Sequence, residues 1–473
     1  MDLPVFHLDF FNNRLLIALI AILHVVINHG MAVGGIPVVA WLEYRGLCDP
    51  KNAEHWDQVA YKLLTAFFIV TTTVGALTGV GIWLSAGLVN PYAIGSLIRV
   101  FFWAWFVEWI VFVTEVVLIL IYFLTWKKWT GERKRRHARL GVGLAVASWI
   151  TMTIIVAILG FMMDPGSWLS DRTFLHGVFN PAYLPQLAFR TPLAMLMAGA
   201  FALVVVRWTS ANSPVRVQAT ATLSRWILAW TPFVLVGGAW YARIVPEAMK
   251  ANVPSALLTQ GLQQWASTAQ WVLVTGVVLV LCIALWGALR PASLRVGASL
   301  AAAFILIGLL GTFERVREYV RKPYAIGGYL YANGIRVDDY PLLQRDGVLA
   351  HATYTSVSTI TDDNELEAGR EVFTIACTRC HTVDGITSIR SSVHAMYGDA
   401  PWNKDALSTY IGTMHSARPY MPPFPGSLRE RDALAAWLVS LQDTRDVIEG
   451  AQTKGVTLRP PPLPASAPIV SQR

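Results

Sequence analysis

Charge is what this chain has least of. Only 14% of its 473 residues are Asp, Glu, Lys or Arg, whereas 54% are hydrophobic, 19 of them Trp. Mean hydropathy is +0.46. So few charges exclude a disordered chain, and a hydrophobic fraction this high does not suit an ordinary soluble enzyme. Cysteine is scarce as well. Four residues are too few for a secreted scaffold stapled by disulfides. The formal net charge of +8 comes mostly from short basic segments between apolar runs, so it points to membrane topology and not to nucleic acid. No internal repeat is present.

What is abundant is apolar sequence in runs long enough to span a bilayer. They lie near 14–42, 61–86, 97–126, 140–163, 190–207, 225–246, 266–289 and 296–318, which gives eight expected transmembrane helices. The first run is too long and too poor in preceding basic residues for a cleaved signal, so it is read as a retained span. Lys127, Lys128, Arg133, Lys134, Arg135, Arg136 and Arg139 follow the third run. Arg207, Arg216 and Arg225 follow the fifth, and Arg290 and Arg295 the seventh. The positive-inside rule puts these segments in the cytoplasm. An even number of spans then leaves everything after about Arg321 outside it.

That outer part carries the most specific motif, Cys377-Thr-Arg-Cys380-His381. Two thiols three residues apart followed directly by His are the attachment pattern of one covalent c-type haem, with His381 as axial ligand to iron. Met421, forty residues on within Tyr420-Met421-Pro422-Pro423-Phe424, is the expected second ligand. Met414 and His415 are nearby competitors. Haem attachment outside the cytoplasm agrees with the orientation drawn from charge. The expected organisation is a membrane domain over 1–321, a connector over 322–364, an all-α cytochrome c domain over 365–446 and a Pro-rich tail over 447–473. Cys282, in an apolar run, is read as core packing, and Cys48 as a loop residue.

Ionisable residues inside spans are expensive and are read as functional first. His24 lies about eleven residues, or roughly 16 Å of rise, into the first span. His29 is about 140° further round the helix, so the two cannot share a ligand. Glu108 and Glu115 return to one face of the third span about 10 Å apart; the plainer reading is a pair of protonated carboxyls bonding neighbouring helices. Glu314 and Glu318 near the end of the eighth span alternate with Arg315, Arg317 and Arg321. For Glu314 a salt bridge to Arg317 is the expectation. Two in-span histidines cannot supply the four that a two-haem, four-helix cytochrome b requires.

These pieces resemble subunit I of the cytochrome bd oxidase family. Arg14-Leu-Leu-Ile-Ala-Leu-Ile-Ala-Ile-Leu-His24 is similar to its opening helix, and the Glu108/Glu115 span to the helix with two acidic residues beside the oxygen-reactive haem. Phe161-Met-Met-Asp-Pro165 and Phe179-Asn-Pro181 resemble its fourth and fifth helix segments. Glu318-Tyr-Val-Arg321-Lys-Pro323-Tyr324 is similar to its Glu-x-Gly-Arg-Gln-Pro-Trp signature. The resemblance implies two non-covalent haems of b or d type, with His24 and Glu318 as axial ligands. It gives Glu108 and Glu115 to the proton route or the propionate surroundings, and Arg321 to the propionates. It also implies a second membrane subunit similar to subunit II of that family. The chain departs from the family where the low-spin b haem sits: Arg190 stands at the histidine position, no methionine occurs around Gln270-Trp271-Val272, and the long quinol loop is missing.

The expected function is therefore that of a multi-pass subunit of the cell inner membrane. A periplasmic cytochrome or dehydrogenase would reduce the c-type haem, and membrane haems would reduce oxygen to water. The alternative is an electron-transfer subunit of a larger redox complex without oxygen chemistry. A third, weaker option is reduction of another small oxidant such as nitric oxide at the same open iron.

Overall fold

The computed structural model describes residues 2–210, 212–258 and 264–442; the Pro-rich tail lies outside the described residues. Among the described residues, eight helices are long and apolar enough to cross a membrane: Asn13–Cys48, Ala53–Val89, Phe102–Thr125, Glu132–Met163, Tyr183–Thr209, Arg216–Ile244, Ala266–Leu289 and Val296–Val320. Most outrun the apolar segments that announce them, because a hydropathy window sees only the hydrocarbon part of a helix. The basic run after Thr125 is a case in point. Most of it is no loop but the opening turns of the fourth span, since Lys and Arg are good helix formers whose charges reach outward from an interfacial turn.

The described residues divide into two compact units, one of Ala18–Leu84 and Ile94–Arg321, the other of the chain start up to Ile17, Ser85–Ala93 and the described residues from Lys322 on. In the membrane unit the fifth span is the hub and packs against the first, second, fourth, sixth and eighth. Small residues permit this. A Cβ on Gly34 of the first span would lie 2.1 Å from the Ala194 carbonyl oxygen, so any larger residue would force the two helices apart. Pro192 interrupts the fifth span and deprives the Ala188 carbonyl of its helical donor. Gly237 of the sixth span closes on that same carbonyl. The third span instead exposes Trp103, Phe106, Trp109 and Phe112, the surface expected of a helix that faces lipid or a membrane partner. Cys282 on the seventh span is exposed and not core packing, and Cys48 is the exposed last residue of the first span. A uniformly apolar helix gives no periodic signal of which side faces protein.

Among the described residues, the regular structure of the second unit is helical apart from a two-stranded hairpin, Tyr324–Ile326 with Leu330–Tyr331. Helices Glu365–Ala376, Ile389–Tyr397, Lys404–Ala417 and Leu428–Ser440 surround a core that includes Phe373, Leu407, Leu434 and Trp437. The segment 322–364, expected to be a connector, supplies Tyr331, Ile335, Leu343, Val348 and Val357 to the same core, and the chain start adds Leu3. Its apolar residues fall in turns and short helices without a regular period, so no helical or strand pattern marks them. Glu430 ties that segment down. It closes a capping box with Ser427 and accepts the backbone N–H groups of Val348 and Leu349 at 2.9 and 2.8 Å. Replacing Glu430 by Ala strands these buried donors and should destabilise this unit by about 3 kcal/mol. Denaturant unfolding of the intact protein, followed by the absorbance of its covalent haem, measures the loss; an unchanged midpoint would contradict the role.

Candidate functional site

The motif Cys377–His381 follows the helix Glu365–Ala376 and is wound as a tight turn, with the Cys380 and His381 N–H groups on the Cys377 carbonyl at 3.0 and 2.9 Å. The two thiols are not joined to each other. His381 turns Nδ1 to the Thr387 carbonyl at 3.2 Å. A carbonyl can only accept, so Nδ1 carries the proton and Nε2 keeps its lone pair, the tautomer of a ring that ligates iron. Burial holds the His381 pKa below its ordinary value and pushes the Cys377 thiol up to about 12. The Met421 loop is braced by backbone contacts. Tyr340 Oη donates to the Pro423 carbonyl at 3.2 Å, Gln344 to Phe424 at 3.1 Å, and His415 Nδ1 to the Met421 carbonyl at 2.5 Å. His415 thus spends one ring nitrogen on the loop, and Met414 packs against the apolar core.

Several residues of this site escaped sequence reading. Asn12 donates to the Cys380 carbonyl at 2.7 Å and to Thr387 Oγ1 at 3.0 Å, and Arg14 Nη1 lies 3.7 Å from Cys380 Sγ. Arg379, inside the motif, is buried and donates to the carbonyls of Ile375 and Val89; burial lowers its pKa to about 10. Asn12 carried a local signal only, as the cap of the first helix, where its Oδ1 accepts the Arg14 N–H at 2.9 Å.

In the membrane unit the first and second spans each contain a widened π-turn, Asn28–Val33 and Thr71–Gly75, a feature often found at functional sites. His24 meets the second of these. Its Nδ1 is 3.2 Å from both the Gly75 carbonyl and Thr78 Oγ1. Bonding to the carbonyl makes Nδ1 the donor and again leaves Nε2 as the free lone pair. His29 sits apart in a second cluster. Arg190, 1% exposed, donates from Nη1 to His29 Nε2 at 3.3 Å and from Nη2 to Glu314 Oε1 at 2.6 Å. Arg317 holds the other Glu314 oxygen at 2.9 Å, the ion pair expected from their spacing. Arg190 Nε and Arg317 Nη1 are buried without an acceptor among the described residues, as is Gln186 Nε2 one turn away, while Gln186 Oε1 is buried without a donor. Buried donors left over in a cationic cluster fit an incoming carboxylate, such as a porphyrin propionate.

Glu318 and Arg321 form an ion pair with each other. Glu115 accepts from Ser148 at 2.6 Å and Thr151 at 3.3 Å on the fourth span, so it does bond a neighbouring helix. Glu108 is half-buried and has no hydrogen-bond partner among the described residues.

Against known proteins, residues 364–438 match the family model of cytochrome C oxidase, cbb3-type, subunit III. No curated protein sequence matches the chain. Among solved structures it is similar to the bd oxidase from Geobacillus thermodenitrificans, with a TM-score of 0.54, 16% identity, and coverage of 67% of this chain and 89% of that one. The chain joins a bd-oxidase-like helical bundle to a cytochrome c domain. It is a multi-pass membrane protein built for haem-based electron transfer, and its cytochrome domain carries haem c.

Removing Arg190 tests the buried cluster. Arg190→Leu leaves Glu314 with one partner in a dry site and should lower stability by about 3–5 kcal/mol. Arg190→Lys restores the charge without the fork that reaches His29 and Glu314 together, so it should recover only part. Thermal unfolding in detergent reads both. Equal midpoints for wild type and Arg190→Leu would count against the cluster as a stabilising element.

Proposed function

We propose that the chain is a subunit of a respiratory terminal oxidase in the cytoplasmic membrane. It takes electrons from a donor outside the cytoplasm, a small cytochrome or a dehydrogenase, and delivers them to oxygen, which is reduced to water. The observation that carries this reading is His24, a histidine within a span of a bd-oxidase-like fold, whose Nδ1 is anchored on Gly75 so that Nε2 is presented as a ligand. The haems supply the redox chemistry: single-electron transfer at a six-coordinate iron, and oxygen binding at an iron with an open position.

The protein's own groups then have distinct tasks. Cys377 and Cys380 would tether the covalent haem while His381 and Met421 hold its iron; a Met ligand favours a high potential. Packing of Met414 against the apolar core supports Met421 over it, and the bond from His415 Nδ1 to the Met421 carbonyl makes His415 a brace of the ligand loop. His24 and Glu318 would ligate two non-covalent haems of b or d type in the membrane. Glu115, with Ser148 and Thr151 around it, and Glu108 on the same face would hold and pass protons. Arg321, with Arg190 and Arg317, would meet propionates. By the resemblance, Arg190, which pairs with Glu314, takes the position of the low-spin haem's histidine, and this supports entry of electrons through haem c in place of quinol. The exposed aromatic face of the third span is compatible with a second membrane subunit similar to subunit II of bd oxidases.

One observation favours a second reading, an electron-transfer subunit without oxygen chemistry: the Glu318 carboxylate is engaged by Arg321. Carbon monoxide separates the two readings, because a reduced oxidase shifts its spectrum with it and a closed relay does not.

His24→Ala should remove one non-covalent haem per chain by pyridine haemochrome analysis and abolish oxygen uptake with a reduced cytochrome donor. Turnover that survived would end the assignment. Met421→Ala should leave the covalent haem attached, lower its potential and open it to carbon monoxide; an unaltered potential would mean that another residue is the ligand.

A further inference from the structure

The start of the fourth span puts two faces to different uses. One face is locked inward. His137 Nδ1 is 2.6 Å and Lys134 Nζ 2.9 Å from Glu43 Oε1, Tyr122 Oη donates to Glu43 Oε2 at 2.7 Å, and Lys134 also pairs with Asp57. The other face carries Arg135, Arg139, Val142, Val146 and Trp149 at alternating spacings of four and three, which makes one continuous stripe. It forms a wall of a groove of about 810 Å³ whose far side includes Trp41 and Tyr44 of the first span, with Trp226 of the sixth also lining it.

The chemistry of this groove is divided. Trp149 and Trp226 spend their indole N–H groups on Thr191 Oγ1 and the Met195 carbonyl at 3.0 and 2.8 Å, so they offer ring surface and no donors. Its only charged lining residues are Arg135 and Arg139, one helical turn apart at one end. Both are exposed, and neither has an acidic partner among the described residues, whereas the adjacent Lys134 is fully committed to Glu43 and Asp57. From Arg135 to Trp149 the helix rises about 21 Å, enough for one leaflet of about 15 Å plus a headgroup. A helix of that length and about 10 Å diameter would fill roughly twice the groove's volume. An isoprenoid quinone would suit the walls but bring no anion to the arginines.

We propose that this groove binds one anionic phospholipid, with its phosphate on Arg135 and Arg139 and an acyl chain laid along Trp149, Trp41 and Trp226. The site does not depend on the oxidase reading. Arginine matches phosphate with its planar fork, and two of them at a membrane interface select anionic headgroups. The test uses the whole chain, purified in mild detergent from membranes containing phosphatidylglycerol and phosphatidylethanolamine, with retained molecules counted by native mass spectrometry. Wild type should keep one phosphatidylglycerol. Occupancy should fall at least about tenfold in Arg135→Gln/Arg139→Gln, which removes the charges, and equally in Ala145→Phe, which fills the groove and leaves the charges. Equal thermal unfolding midpoints in detergent for all three proteins establish that the variants are folded. Unchanged retention in either variant, retention of phosphatidylethanolamine to the same extent, or a quinone or polypeptide bound in place of the lipid would each overturn the proposal.

Discussion

The membrane unit is organised around a charge taken out of water. Arg190 lies on its most buried span and is 1% exposed, so the helices around it must supply what solvent would have supplied. Glu314 and Arg317 come from the eighth span and His29 from the widened turn of the first. An ion pair of this kind adds little net stability over a well-packed apolar core, but it tolerates few arrangements. The close contacts at Gly34 and Gly237 follow from that demand for register. The Gly34 contact brings the first span near enough to the fifth for His29 to reach the guanidinium, and Glu314 reaches it from the eighth. Two of the cluster's donors, Arg190 Nε and Arg317 Nη1, have no acceptor among the described residues.

The same reasoning links the two histidines of the first span to different duties. Both point their rings at backbone or side-chain partners, but by opposite nitrogens. His24 gives its proton to a carbonyl and keeps Nε2, whereas His29 accepts at Nε2 from arginine. Only the former retains the atom that porphyrin iron would require. That contrast rests on hydrogen-bond chemistry within the fold, whereas the ligand role of His24 is what the family resemblance implies.

Much of the architecture was legible in the residues because lipid imposes a simple rule: a spanning segment must be long, apolar and helical. All eight spans, the helical cytochrome domain and the Glu314–Arg317 pair follow from that rule or from local spacing. Legibility failed where partners are distant in sequence. Nothing near Arg190 announces Glu314, and nothing near Cys380 announces Asn12. Segment 322–364 looked like a connector because irregular turns bury apolar residues without a period. Cys282 was misjudged because a helix that is apolar all round does not reveal its outward side.

The cytochrome fold is completed by pieces from both ends of the chain. Leu3 in its core and Asn12 on the Cys380 carbonyl are joined to partners more than 300 positions later, 368 in the case of Asn12. During synthesis these early residues must wait, unsatisfied, until the last fifth of the polypeptide emerges. Maturation is therefore a late event that reports on the whole: a chain truncated before Cys380 leaves Asn12 without either of its partners.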